Sequence, residues 1–84
     1  MYEYDKVKDE LFTPEGFKIL DEIRENINKI RLNKFNFSNM TKDVFGDSWH
    51  MLAAIDYMVE LGYIQCVYKC DMARQFWLYS RVGE

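Results

Sequence analysis

The residues of this 84-residue chain that could do chemistry are one histidine, two cysteines, and a scatter of basic and aromatic side chains. His50 stands beside Trp49 at the start of a helical pattern, where the positive end of the helix dipole disfavours a charged ring. No serine or cysteine stands as its evident nucleophilic partner, and the carboxylates fall on the polar faces of helices, so the sequence points to no enzyme. Gly16, Gly46, Gly62 and Gly83 are dispersed and none belongs to a phosphate-cradling loop. Cys66 and Cys70 with His50 offer one loose set of donors, where structural zinc takes four in two close pairs. Neither metal nor cofactor is expected. Cys66 reads as a small core residue and Cys70 as a free thiol near a turn.

Binding is better represented than catalysis. The basic candidates for nucleic acid are Lys29, Arg31 and Lys34, then Lys42, then Lys69, Arg74 and Arg81. Lys69 and Arg74 could straddle a phosphate backbone while Trp49 and His50 enter a groove or stack on a base. A protein partner would use other residues. Trp49, Tyr57, Trp77 and Tyr79 are large aromatics at predicted exposed positions, the types that dominate interface hot spots.

Charge separates along the chain. Residues 1–25 carry eight acids and four bases, residues 26–46 one acid and four bases, residues 47–63 three acids and no base, and residues 64–84 two acids and three bases. The net charge of −3 therefore hides a basic second quarter and an acidic third one. Phosphate contacts drive most nucleic-acid affinity, so the acidic stretch matters to any DNA reading.

These residues must be positioned by elements that the spacing makes legible. Tyr4, Val7 and Leu11 suggest a short amphipathic arm over residues 1–12, docked on its own domain or on a second copy. Thr13-Pro14-Glu15 is a helix start with an N-cap hydroxyl and proline at the first position. Phe17, Leu20, Ile23, Ile27 and Ile30 predict a long amphipathic helix over about residues 14–31. Lys34-Phe35-Asn36-Phe37 alternates like a very short strand that would pair with a later hairpin. Ser38 is expected to cap a second helix through Phe45, with Met40, Val44 and Phe45 inward.

The third helix follows Asp47 or Ser48 and stops at Gly62. With Met51, Ile55 and Met58 inward, its outward positions fall to Trp49, His50, Ala53, Asp56, Tyr57 and Glu60. Residues 64–82 then alternate as a β-hairpin with its tip at Cys70–Arg74. If Ile64 and Leu78 face the helices, Trp77 and Tyr79 lie outside. A one-residue slip buries those two and exposes Phe76 and Leu78 instead.

Eighty-four residues make one small core, and 49% hydrophobic content is enough to fold it alone or as a dimer. A charged start without an apolar signal core, and no stretch of membrane-spanning length, make a cytoplasmic location the expectation.

The element order, the helix-to-strand run Met58-Val59-Glu60-Leu61-Gly62-Tyr63-Ile64 and the aromatic Gln75-Phe76-Trp77-Leu78-Tyr79 together resemble a winged helix-turn-helix domain over about residues 14–82. The resemblance implies an α+β fold: residues 1–12 as arm or short helix, and residues 13–84 as a three-helix core with a C-terminal wing. It also implies a small bacterial or phage-type regulator of transcription, dimeric, that binds duplex DNA. Carried over by position, Trp49, His50, Ala53 and Tyr57 would face the groove and Lys69 and Arg74 would be the wing contacts; Lys42, on the second helix, is a further DNA-binding candidate. Asp47, Asp56 and Glu60 stand where the family carries bases. The alternative implied by the same family is a protein-interaction module or inhibitor without DNA binding, using an interface of Tyr4, Val7, Leu11, Trp77 and Tyr79.

Overall fold

In the computed structural model, which describes residues 2–83, the chain opens with one turn of helix, α1 (Tyr4–Val7), that tightens into a 3-10 turn over Lys8–Phe12. The arm expected here is thus ordered, and Val7 and Leu11 reach into the core of the same chain. Thr13 ends it and starts α2 (Pro14–Lys29), its side chain accepting the Gly16 N–H at 3.1 Å. Gly16 is needed at this place. A Cβ on it would lie 2.5 Å from backbone atoms of Glu10 and Leu11, so only glycine lets α2 start against the preceding turn.

That close approach sets the rotation of α2. Ile19, Ile23 and Ile27 form its buried stripe, and Phe17, expected inward, is 48% exposed. Its ring meets Phe12 edge-on at 5.9 Å instead. At the far end Arg81 donates to the carbonyls of Ile27 and Ile30, groups that a helix end otherwise leaves without partners.

The expected short strand shrinks to one residue. Phe35 exchanges both backbone hydrogen bonds with Tyr79, at 2.9 and 2.8 Å. The second helix, α3 (Phe37–Met40), is a single turn, and Asn36 rather than Ser38 caps it through a reciprocal pair with Asn39 at 3.0 and 2.9 Å. It does not run to Phe45, because Asp43 takes a left-handed backbone conformation (φ 62°) that no right-handed helix accommodates. Val44 is buried, but Phe45, expected inward, is 86% exposed.

Helix α4 (Ser48–Glu60) is capped by Asp47, which accepts the Trp49 N–H at 2.7 Å. Its end is a Schellman turn. Gly62 at φ 83° lets Tyr63 N–H reach Met58 O and Gly62 N–H reach Val59 O, both at 3.0 Å. Strand β1 (Ile64–Tyr68) then pairs antiparallel with β2 (Leu78–Arg81), Cys66 opposite Tyr79, with an extra residue at Val67 bulging the ladder. The slipped register is the one adopted: Tyr79 is buried, Trp77 half-buried and Phe76 exposed, whereas Leu78 stays half-buried. The strand order is Phe35, β2, β1.

The result is an α+β fold with four helices and a two-stranded hairpin around one core, compatible with the expected winged-helix order. Among the described residues no charged or polar residue is fully buried, and no helix is long and apolar enough to cross a membrane.

Candidate functional site

The outward face of α4 is where the sequence places DNA contacts, and the arm lies across it. Tyr2 donates its hydroxyl to Asp56 Oδ2 at 2.6 Å, and Tyr4 donates to Glu60 Oε2 at 2.6 Å. Lys8 Nζ donates to Glu60 Oε1 at 2.9 Å and sits over the rings of Tyr4 and Tyr57. Phe12 meets Tyr57 edge-on at 5.6 Å, Tyr2 meets Trp49 at 6.5 Å, and His50 Nε2 lies 3.1 Å from Glu10.

The physical cause is in the residue types. An acidic helix face needs donors, and a tyrosine hydroxyl on a carboxylate makes a short, charge-assisted bond. Burial, then the Glu60 hydrogen bond, pushes the Tyr4 hydroxyl well above its ordinary pKa, and Tyr2 is raised in the same way by burial and Asp56. Both stay protonated donors through the neutral range. Glu60 moves the other way, held below the usual glutamate range by the Lys8 ammonium first and Tyr4 second.

Of the residues predicted to read a groove, Ala53 is completely buried, His50 and Tyr57 are half-covered by the arm, and Trp49 keeps 45% of its surface. The buried Ala53 corrects its assignment to the outer face, because the arm supplies a second layer of side chains over α4. The bases fare differently. Arg74, expected at a wing tip, sits in a 3-10 turn (Arg74–Phe76) that packs against α3 and sends the Arg74 side chain to α4. Its Nη1 donates to Asp56 Oδ2 at 2.9 Å and its Nη2 to Asp56 Oδ1, with Tyr79 Oη at 3.4 Å. The guanidinium is also stacked between Trp77 at 5.0 Å and Tyr2 at 5.5 Å. Burial lowers its pKa, but the bonds to Asp56 and Tyr79 outweigh that and raise it overall. Its Nε is buried with no hydrogen-bond partner among the described residues. Lys69 remains exposed, 5.2 Å from the Trp77 ring.

The interface set is likewise consumed internally. Val7, Leu11 and Tyr79 belong to the core of their own chain, Tyr4 is bound to Glu60, and Trp77 holds the two cations while its indole donates to Cys70 O at 3.0 Å. The arm therefore docks on its own domain. Cys66 and Cys70 are free thiols, and no three metal-ligating side chains among the described residues gather as a metal site.

Two surfaces stay open. A mostly apolar groove of about 240 Å³ lies between α3, the start of α4 and the 74–76 turn, lined by Phe37, Ser48, Leu52, Ala73, Arg74 and Gln75. Three of its lining residues have exposed apolar chain neighbours, with Trp49 after Ser48, Met72 before Ala73 and Phe76 after Gln75. No local pattern marks this groove, because its lining comes from three separate stretches of the chain. The second surface is basic. An open cavity of about 480 Å³ at the end of α2 and α3 has Lys29, Arg31 and Lys42 in its lining.

The chain has been compared with protein-family models, curated proteins and solved structures. It matches none of them. Function must therefore be argued from these surfaces.

Proposed function

We propose that this chain is a protein-interaction module of the winged-helix type, which seats an apolar side chain of a partner protein in the groove between α3, α4 and the 74–76 turn. The observation that carries this reading is the covered face of α4. Its carboxylates Asp56 and Glu60 are bonded to Tyr2, Tyr4, Lys8 and Arg74, so the helix offers a DNA groove neither access nor positive charge. The groove beside it offers mostly apolar walls, with Ser48, Arg74 and Gln75 as the polar residues of its lining. Apolar pockets with a few polar groups at their walls suit side-chain anchors in partner recognition.

Selection of displayed random peptides on the immobilised protein tests the reading. The expected outcome is enrichment of peptides with a shared aromatic or leucine anchor, bound at least tenfold more weakly by Leu52→Lys and Ala73→Glu variants that retain the wild-type circular dichroism. No enrichment, or equal binding by both variants, would overturn it.

A second reading, a dimeric DNA-binding regulator using the third helix and wing, is favoured by the element order and the exposed Lys69. It requires the arm to leave α4, and Lys69→Glu would then abolish a duplex shift.

A further inference from the structure

A surface apart from the groove gathers basic rather than apolar side chains. Lys29, Arg31 and Lys42 line the cavity of about 480 Å³ at the end of α2, with Ser38 and Asn39 as further polar groups. A neighbouring cleft of about 350 Å³ has Lys34 in its lining, with Asn33, Ser80 and Arg81. Residues 29–34 contribute to both, so the two hollows flank one turn of chain.

The four lysine and arginine side chains of this edge are clustered, whereas Lys18 and Lys69, likewise outside any ion pair, stand apart from other bases in the sequence. Lys6, Lys8, Arg24 and Arg74 each have a carboxylate partner. Among the described residues none lies within ion-pair distance of Lys29, Arg31, Lys34 or Lys42, all exposed, and Asp43 is the one acid in either lining. Arg81 is engaged with the last carbonyls of α2 and is not counted.

We infer that this edge binds the sugar-phosphate backbone of duplex nucleic acid without reading its bases. Cations spread over two adjoining clefts match a ligand whose negative charge repeats, whereas a single phosphate would engage one cleft alone. No aromatic ring lines either hollow, so the stacking platform on which single strands depend is missing from both linings. No residue of α4, of the 74–76 turn or of the groove proposed for a protein partner lines either hollow, and the hairpin contributes only Ser80 and Arg81 of β2.

Fluorescence anisotropy of a labelled random-sequence duplex and its single strand, at about 50 and 200 mM salt, tests this. The expected result is duplex binding independent of sequence, with log affinity falling against log salt at a slope of about −3.6 for four phosphate contacts. Lys29→Gln, Arg31→Gln and Lys42→Gln should each flatten that slope by about 1, and the triple variant should not bind at the higher salt. Lys69→Gln should leave affinity within twofold. An unchanged thermal midpoint in the triple variant separates loss of contact from loss of fold. The inference is overturned by no duplex binding at low salt, by tighter binding of the single strand, by wild-type affinity in the folded triple variant, or by loss of binding in Lys69→Gln alone.

Discussion

The outer face of α4 and the edge formed by α2 and α3 have opposite charge, and opposite fates. On α4, Asp56 and Glu60 collect every donor within reach, from Tyr2, Tyr4, Lys8 and Arg74, and the arm closes over them. At the α2–α3 edge, Lys29, Arg31 and Lys42 stand around an open cavity with no carboxylate bound to them among the described residues. The difference teaches that a charged surface of a small domain is available to a partner only where the chain does not complement it internally. Acidic α4 has its complement in the arm. The basic edge has none, and charge left without an internal partner is what a ligand can use.

The largest test of that contrast is whether the arm belongs to the core or merely rests on it. Leu11 is fully buried, so Leu11→Ala should cost about 2–5 kcal/mol in denaturant unfolding. A cost below about 1 kcal/mol would show a detachable cover and would return α4 to the surface. Arg74→Ala comes next. It removes a two-point bond to Asp56 with both side chains about four-fifths buried, and leaves that carboxylate with Tyr2 alone. About 2–4 kcal/mol should be lost, measured in the same way; an unchanged midpoint would mean that Asp56 is solvated and the wing loop independent.

The smallest effect is a pH dependence confined to the arm. Glu60 has its pKa lowered on folding by Lys8 and Tyr4, so the arm's attachment is fully present above the ordinary glutamate value and is lost as pH falls through the lowered one. Amide exchange of residues 4–12 should therefore quicken at acid pH ahead of α2, and Glu60→Gln should remove that pH dependence. Equal acid sensitivity of arm and α2 in both proteins would place the effect in global unfolding instead.

Much of the fold was legible because its signals are local. Thr13-Pro14 starts α2 and Asp47 starts α4, while Gly62 ends α4, since a cap or a left-handed turn depends on three or four adjacent residues. The Phe35 pairing was also within reach of alternation. The extent of α3 was not, since Asn36 and Ser38 are both competent caps and the left-handed turn at Asp43 has no signature strong enough to end a helix on paper. Phe17 misled for a related reason. Its place in the helical stripe is sound, and the rotation that exposes it comes from Gly16 packing against the preceding turn.

Legibility of the candidate sites followed the same division. Residue types alone identified the basic cluster of residues 29–42 and the acidic α4. Only the assembled fold showed that Arg74 turns inward, that Ala53 is covered, and that Phe37, Leu52 and Ala73 share a groove. By itself the sequence determined where α2 and α4 start, where α4 stops, the hairpin and the placement of charge, because each depends on neighbours along the chain. Which charges meet was decided by tertiary structure alone. Tyr4 and Glu60 lie 56 residues apart, and no local pattern records a bond whose partners are brought together only when arm, helices and hairpin bury one core.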